Sequence, residues 1–180
     1  MSFASALAIY GVVCSHLAKQ ICGYDLNAQL PIIGLKWPND VLVSGCKVAG
    51  VLLEAHGDSL IIGSGINIAA TAPLDDNPHP PIGFANFPGV LPEPECLAKD
   101  FLHRLNFYYE LWEKDGFLPL RDLWIEHALH MKRTVTVTVF GRKLTGTFDH
   151  LSKVGGLVLL DDSGESHHIT TGDVELIGSG

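Results

Sequence analysis

The stretch LKWPNDVLVSGCKVAGVLLEA, Leu35 to Ala55, decides the fold. It sets two lysines, an Asn-Asp pair and a glycine among residues that otherwise read as sheet core. Pro38 restricts Trp37 to extended backbone. Asn39-Asp40 then leads into the β-branched run Val41-Leu42-Val43, and Ser44-Gly45 supplies a hairpin turn. The returning strand opens at Lys47 and continues to Leu53, apolar on both faces. An ammonium inside a covered sheet costs several kcal/mol unless it is paired. An anionic ligand at that end of the strand is the simplest partner for Lys47.

Outward from the hairpin, Phe3, Leu7, Tyr10, Cys14, Leu17 and Ile21 recur at three- and four-residue steps, predicting a core-facing helix that ends near Gly23. Its apolar start resembles a signal h-region, but no basic residue precedes it and Lys19 follows it. No run is expected to be long enough to cross a membrane. Ile32–Lys36 and Leu60–Ile66 read as further strands. Prolines 73, 78, 80, 81, 88, 92 and 94 then predict a long surface loop over residues 71–95. Helical spacing returns from Glu95 to Gly116 and over Leu120–Met131. Beyond Lys132, five short strand-like segments (134–140, 143–149, 156–160, 166–170 and 174–177) predict a small β-barrel.

A chain of 180 residues with 47% hydrophobic content buries a core and carries one small appended domain. The formal charge of −8 and the lack of a basic run argue against a nucleic-acid surface. Cys14, Cys22, Cys46 and Cys96 show no C-x-x-C spacing, so reduced thiols in a cytoplasmic protein are expected. His127 and His130 lie three apart on the expected helix with no third ligand evident, and no G-x-S-x-G is present.

The hairpin resembles the central signature of biotin–protein ligases, K-W-P-N-D followed by K-x-A-G. It stands here as Lys36-Trp37-Pro38-Asn39-Asp40 and Lys47-Val48-Ala49-Gly50. A third element, Gly63-Ser64-Gly65-Ile66-Asn67, is similar to the family's strand ending in G-x-G-[IL]-N. The resemblance implies an α+β fold of the biotin ligase/class II synthetase type. That fold has a mixed sheet with flanking helices over residues 1–131 and a C-terminal SH3-like β-barrel over 132–180. It implies an ATP-dependent enzyme that forms biotinyl-AMP and transfers biotin to a lysine of a biotin carboxyl carrier protein. Some members also carry an N-terminal DNA-binding domain; from the residues here no nucleic-acid or membrane partner is expected. Homodimerisation is left open.

Carried over residue by residue, the resemblance makes Lys47 the catalytic cation, because joining a carboxylate to the α-phosphate of ATP builds negative charge. Lys47, Gly50 and Leu52 would meet biotin. Lys36, Asn39, Asp40, Gly63, Gly65 and Asn67 would meet ATP, and Asp40 suits Mg2+ as a hard oxygen donor. Gly50 is expected to let a ligand approach the backbone. Lys36 would either bind phosphate or pair with Asp40.

The family also carries a Gly-Arg-rich loop upstream of the segment matching the first helix. The four arginines here are Arg104, Arg121, Arg133 and Arg142, all far downstream. The residues thus resemble the second half of the catalytic domain plus the barrel, and weak binding of biotin and ATP is expected of them alone. A sheet without its first strands would expose an edge and an apolar face. The alternatives are a non-catalytic remnant of such a ligase and a related lipoate ligase.

Overall fold

A computed structural model of the protein describes residues 1–69 and 77–176. The elements run α1 (Ser2–Tyr24), β1 (Ile33–Lys36), β2 (Asp40–Val43), β3 (Cys46–His56) and β4 (Ser59–Ile66), then α2 (Pro94–Asp115) and α3 (Phe117–Glu126). Five strands follow: β5 (Thr134–Val139), β6 (Arg142–Leu151), β7 (Leu157–Leu160), β8 (Ser166–Ile169) and β9 (Asp173–Leu176). A short 3-10 helix, Phe84–Asn86, is the one helical turn in the described part of the Pro-rich segment before α2. Its residues 71–76, and Ile177 of the last expected strand, lie outside the described residues.

Strands β1 to β4 form a sheet in chain order, every neighbouring pair antiparallel. The expected mixed sheet is therefore corrected for the described residues: tight turns join each strand to the next, and such turns produce antiparallel pairs. Ser44 and Gly45 both take positive φ, 48° and 83°, closing β2 onto β3 as the two-residue turn requires. Parallel contacts enter only as isolated bridges, Leu35 to Ala128 and Lys47 to Pro81.

The expected two-sided burial of β3 holds for half its length. Val48, Ala49 and Val51 are buried, whereas Leu52 is exposed, as are Leu60 and Ile61 on the edge strand β4.

Helix α1 is apolar around most of its circumference because it is covered by the sheet, α2 and α3. By length and composition it would suffice to cross a bilayer, which corrects the expectation that no run is long enough. In this fold its Phe3–Ile21 face is instead part of the core. Helix α3 begins and ends earlier than the spacing predicts. After Glu126 the chain turns to pair with β1, His127 O accepting from Leu35 N and Leu129 N donating to Leu35 O. His127 and His130 consequently do not share a helix.

The second sheet has the order β8-β7-β6-β5-β9, all antiparallel. Its inner residues Val135, Val137, Phe148, Leu157 and Leu159 join Trp37, Val41 and α1 in one continuous apolar cluster. Trp37 Nε1 donates to Gly155 O at 3.0 Å, tying the two sheets together.

Candidate functional site

The β1–β2 corner, the start of β3 and the Gly-Ser-Gly end of β4 meet around one open cavity of about 750 Å³. Lys36, Asn39, Asp40, Lys47, Gly50, Leu52, Gly63 and Gly65 all line it. Asn67 lies instead on an adjoining cavity of about 300 Å³, shared with Lys47, Gly50 and Gly65. Antiparallel register explains the convergence: Asp40 pairs with Gly50, which pairs with Gly65, and Leu52 pairs with Gly63. Residues far apart in sequence thus become one strip across three strands.

Two ion pairs dominate the cavity. Lys47 Nζ lies 2.6 Å from Asp40 Oδ1, with side chains 44% and 17% exposed. The ammonium is therefore half open rather than enclosed in a covered sheet, which corrects that expectation, and its carboxylate partner within the chain is Asp40. Gly50 makes room for this pair. A Cβ there would sit 2.9 Å from Asp40 Oδ1 and 3.2 Å from Lys47 Nζ. At Gly65 a Cβ would meet nothing within 4 Å, so the cavity is open there.

Lys36 is buried at 5% side-chain exposure and pairs with Asp173 of β9 at 2.5 Å. Of the two alternatives the sequence left open, pairing with Asp40 is replaced by pairing with Asp173. Asn39 donates its amide to Val51 O, and Asn67 donates to Lys47 O at 3.2 Å and Ile82 O at 3.1 Å. Both amides fix the backbone that carries Lys47.

Sequence reasoning missed several wall residues. Gly172, Asp173 and Glu175 come from the second sheet, and Asn77, Pro78 and His79 from the segment before α2. Pro80 O accepts from Lys47 N and Lys47 O from Ile82 N, so that segment runs beside β3. His79 Nδ1 lies 2.9 Å from Gly45 O, and its ring stacks on His130 at 5.8 Å. Burial, then the charges of His79, Lys36 and Arg133, push His130 down to about 4. The nearest thing to a sequence signal was the density of prolines and histidines at 78–81; for Asp173 there was none.

A separate group, Asp161 and Glu165 of the turn between β7 and β8 with His167 of β8, lies at that turn. Asp161 accepts from Ser163 N, Ser163 Oγ and Glu165 N and lies 2.8 Å from His167 Nε2, which describes a capped turn.

An antiparallel α+β domain with a Lys-Asp cavity, joined to a five-stranded sheet, is the class this fold and site define. The chain matches no family model. It is 28% identical over 179 residues to a biotin–[acetyl-CoA-carboxylase] ligase of Paracoccus denitrificans, covering 91% of this chain and 68% of that protein. It is 47% identical over 141 residues to the ligase of the same name from Mycobacterium tuberculosis, covering 78% and 52%. The biotin protein ligase of Aquifex aeolicus superposes in its apo structure with a TM-score of 0.80 at 23% identity, covering 98% of this chain and 74% of that one. Its complex with biotin and ATP gives 0.73. The chain is thus similar to biotin–protein ligases over most of its own length, and it spans between about half and three quarters of the length of these relatives.

Proposed function

We propose that these residues form the nucleotide- and biotin-handling part of an ATP-dependent biotin–protein ligase. The observation that carries this is the gathering of the three family motifs around one cavity beside a half-exposed lysine. Cavities of this volume suit a small substrate and a nucleotide phosphate together. In the first step a biotin carboxylate oxygen bonds to the α-phosphorus of ATP and pyrophosphate leaves. In the second, a lysine amine of a biotin carboxyl carrier protein attacks the acyl carbon and AMP leaves.

Lys47 meets the charge that develops on the carboxylate and α-phosphate, where a fixed cation outperforms water. Gly50 and Leu52 border the biotin side. Asn39 and Asn67 act by fixing the backbone at Val51 and Lys47, beside the nucleotide. Gly63 and Gly65 leave the nucleotide side open. Asp40 and Glu175 bring carboxylates to the cavity, a donor set that fits Mg2+. The ion would supply charge neutralisation for the phosphates.

The chain divides near Lys132, and the five-stranded sheet acts as an SH3-like barrel that walls the pocket through Gly172, Asp173 and Glu175. Four free cysteines agree with a reducing, cytoplasmic setting.

The test is pyrophosphate release from ATP with and without biotin, run beside a full-length relative. Release that requires biotin, slower than the relative's, is expected. Nucleotide binding without release would favour the non-catalytic remnant, and release stimulated by lipoate instead of biotin would favour the lipoate reading. Micromolar biotin binding by these 180 residues would contradict the expected weak affinity.

A further inference from the structure

Four charges alternate along the cavity floor across four strands: Asp173 on β9, Lys36 on β1, Asp40 on β2 and Lys47 on β3. Lys36 and Asp40 are directly opposed in the β1–β2 register. Opposed residues of an antiparallel pair leave the same face with Cβ atoms about 4.5–5.5 Å apart. Lys36 therefore has a second carboxylate within reach, yet its ammonium sits on Asp173. Asp40 is left to Lys47, and their pair packs against Gly50, where a Cβ would crowd it.

We infer that Asp173 is a positioning residue for Lys47, acting through Lys36: by holding the Lys36 ammonium it reserves Asp40 for Lys47. At 5% exposure Lys36 has almost no water to turn to, so loss of its partner sends it to the nearest remaining carboxylate. Asp173 is 65% exposed and its removal leaves no buried charge of its own. The second sheet thereby sets the state of a lysine it does not touch. This rests on the reading of Lys47 as the functional cation, but its test needs neither biotin nor ATP.

Reductive methylation of the folded chain, followed by mass spectrometry, reads Lys47 against the exposed Lys153. An amine held by a carboxylate reacts more slowly than a released one. Asp173→Asn is expected to speed Lys47 methylation severalfold, and Asp173→Glu to keep it near the wild-type rate. The double variant Lys36→Met, Asp173→Asn is expected to return Lys47 to the wild-type rate, since no second ammonium then competes for Asp40. A merely loosened second sheet would not be rescued in this way. An unchanged Lys47 rate in Asp173→Asn, as when Lys36 turns to His130, overturns the inference. So does an equal rise in the double variant. Asp173→Ser serves if the Asn variant does not fold. Failure of pyrophosphate release would sink the proposed reaction while leaving this result intact.

Discussion

The two sheets treat their surfaces in opposite ways. The second buries alternate residues of β5 and β6 and all but the last of β7, and it contributes to the site only from the start of β9. The first is buried at its β1–β2 end, while β4 and the far half of β3 face outward. In the proposed function the first sheet carries most of the cavity and the second supports it. The supporting sheet is nevertheless part of the same apolar cluster, so the two are expected to fold as one unit.

The most forceful way to break that comparison is Phe148→Ala. Phe148 is buried at 1% exposure in the shared cluster, and such truncations cost about 3–5 kcal/mol. Urea unfolding followed by far-UV and near-UV signals should show one earlier, coincident transition. Two separated transitions would show that the second sheet stands alone.

Next in size is Lys47→Ala in a form that turns over. Removing a preorganised charge stabiliser lowers such rates by about 10²–10³-fold. Adenylate formation at wild-type rate would remove Lys47 from its proposed role and leave the first sheet without its chemical distinction.

The hairpin was legible because its turn residues and apolar runs are local. Ser44-Gly45 and the strand limits within a residue or two follow from that, whereas the motif residues that line the cavity came from the family resemblance. Lys36 was not legible, because its partner Asp173 is 137 residues away and joins it only through packing of two sheets. The α3 end was misread for a related reason. His127 and Leu129 use their backbone groups on β1, a tertiary demand that overrides helical spacing. That Gly50 also makes room for the Asp40–Lys47 pair was equally hidden, because the pair forms only when β2 and β3 are in register.

A pH series sharpens the contrast between the sheets at their shared boundary. Unfolded, His130 titrates near its ordinary 6.5; folded, it does so at about 4. Between these values the unfolded chain binds a proton that the folded chain does not. Stability is therefore full above pH 6.5 and falls as the pH drops toward 4. Urea midpoints should decline from pH 7 to pH 5, and His130→Gln should flatten that slope. A midpoint that rises on acidification would contradict the buried neutral imidazole.

The smallest expected effect is Trp37→Phe, which removes the Nε1 donor to Gly155 O while keeping an aromatic ring. A single neutral hydrogen bond contributes about 1 kcal/mol. A shift several times larger would mean that the sheets are held at this one point rather than by their common apolar cluster.

The same indole provides an optical consequence. Trp37 is buried at 2% exposure, next in sequence to Lys36 and hydrogen-bonded across the sheet junction. Of the other two tryptophans, Trp112 is partly exposed at 39% and Trp124 is fully enclosed. With those two replaced by phenylalanine, the emission wavelength and quenching of the remaining chromophore would report, in a cuvette and without any label, whether the junction beside the cavity is shut or wet.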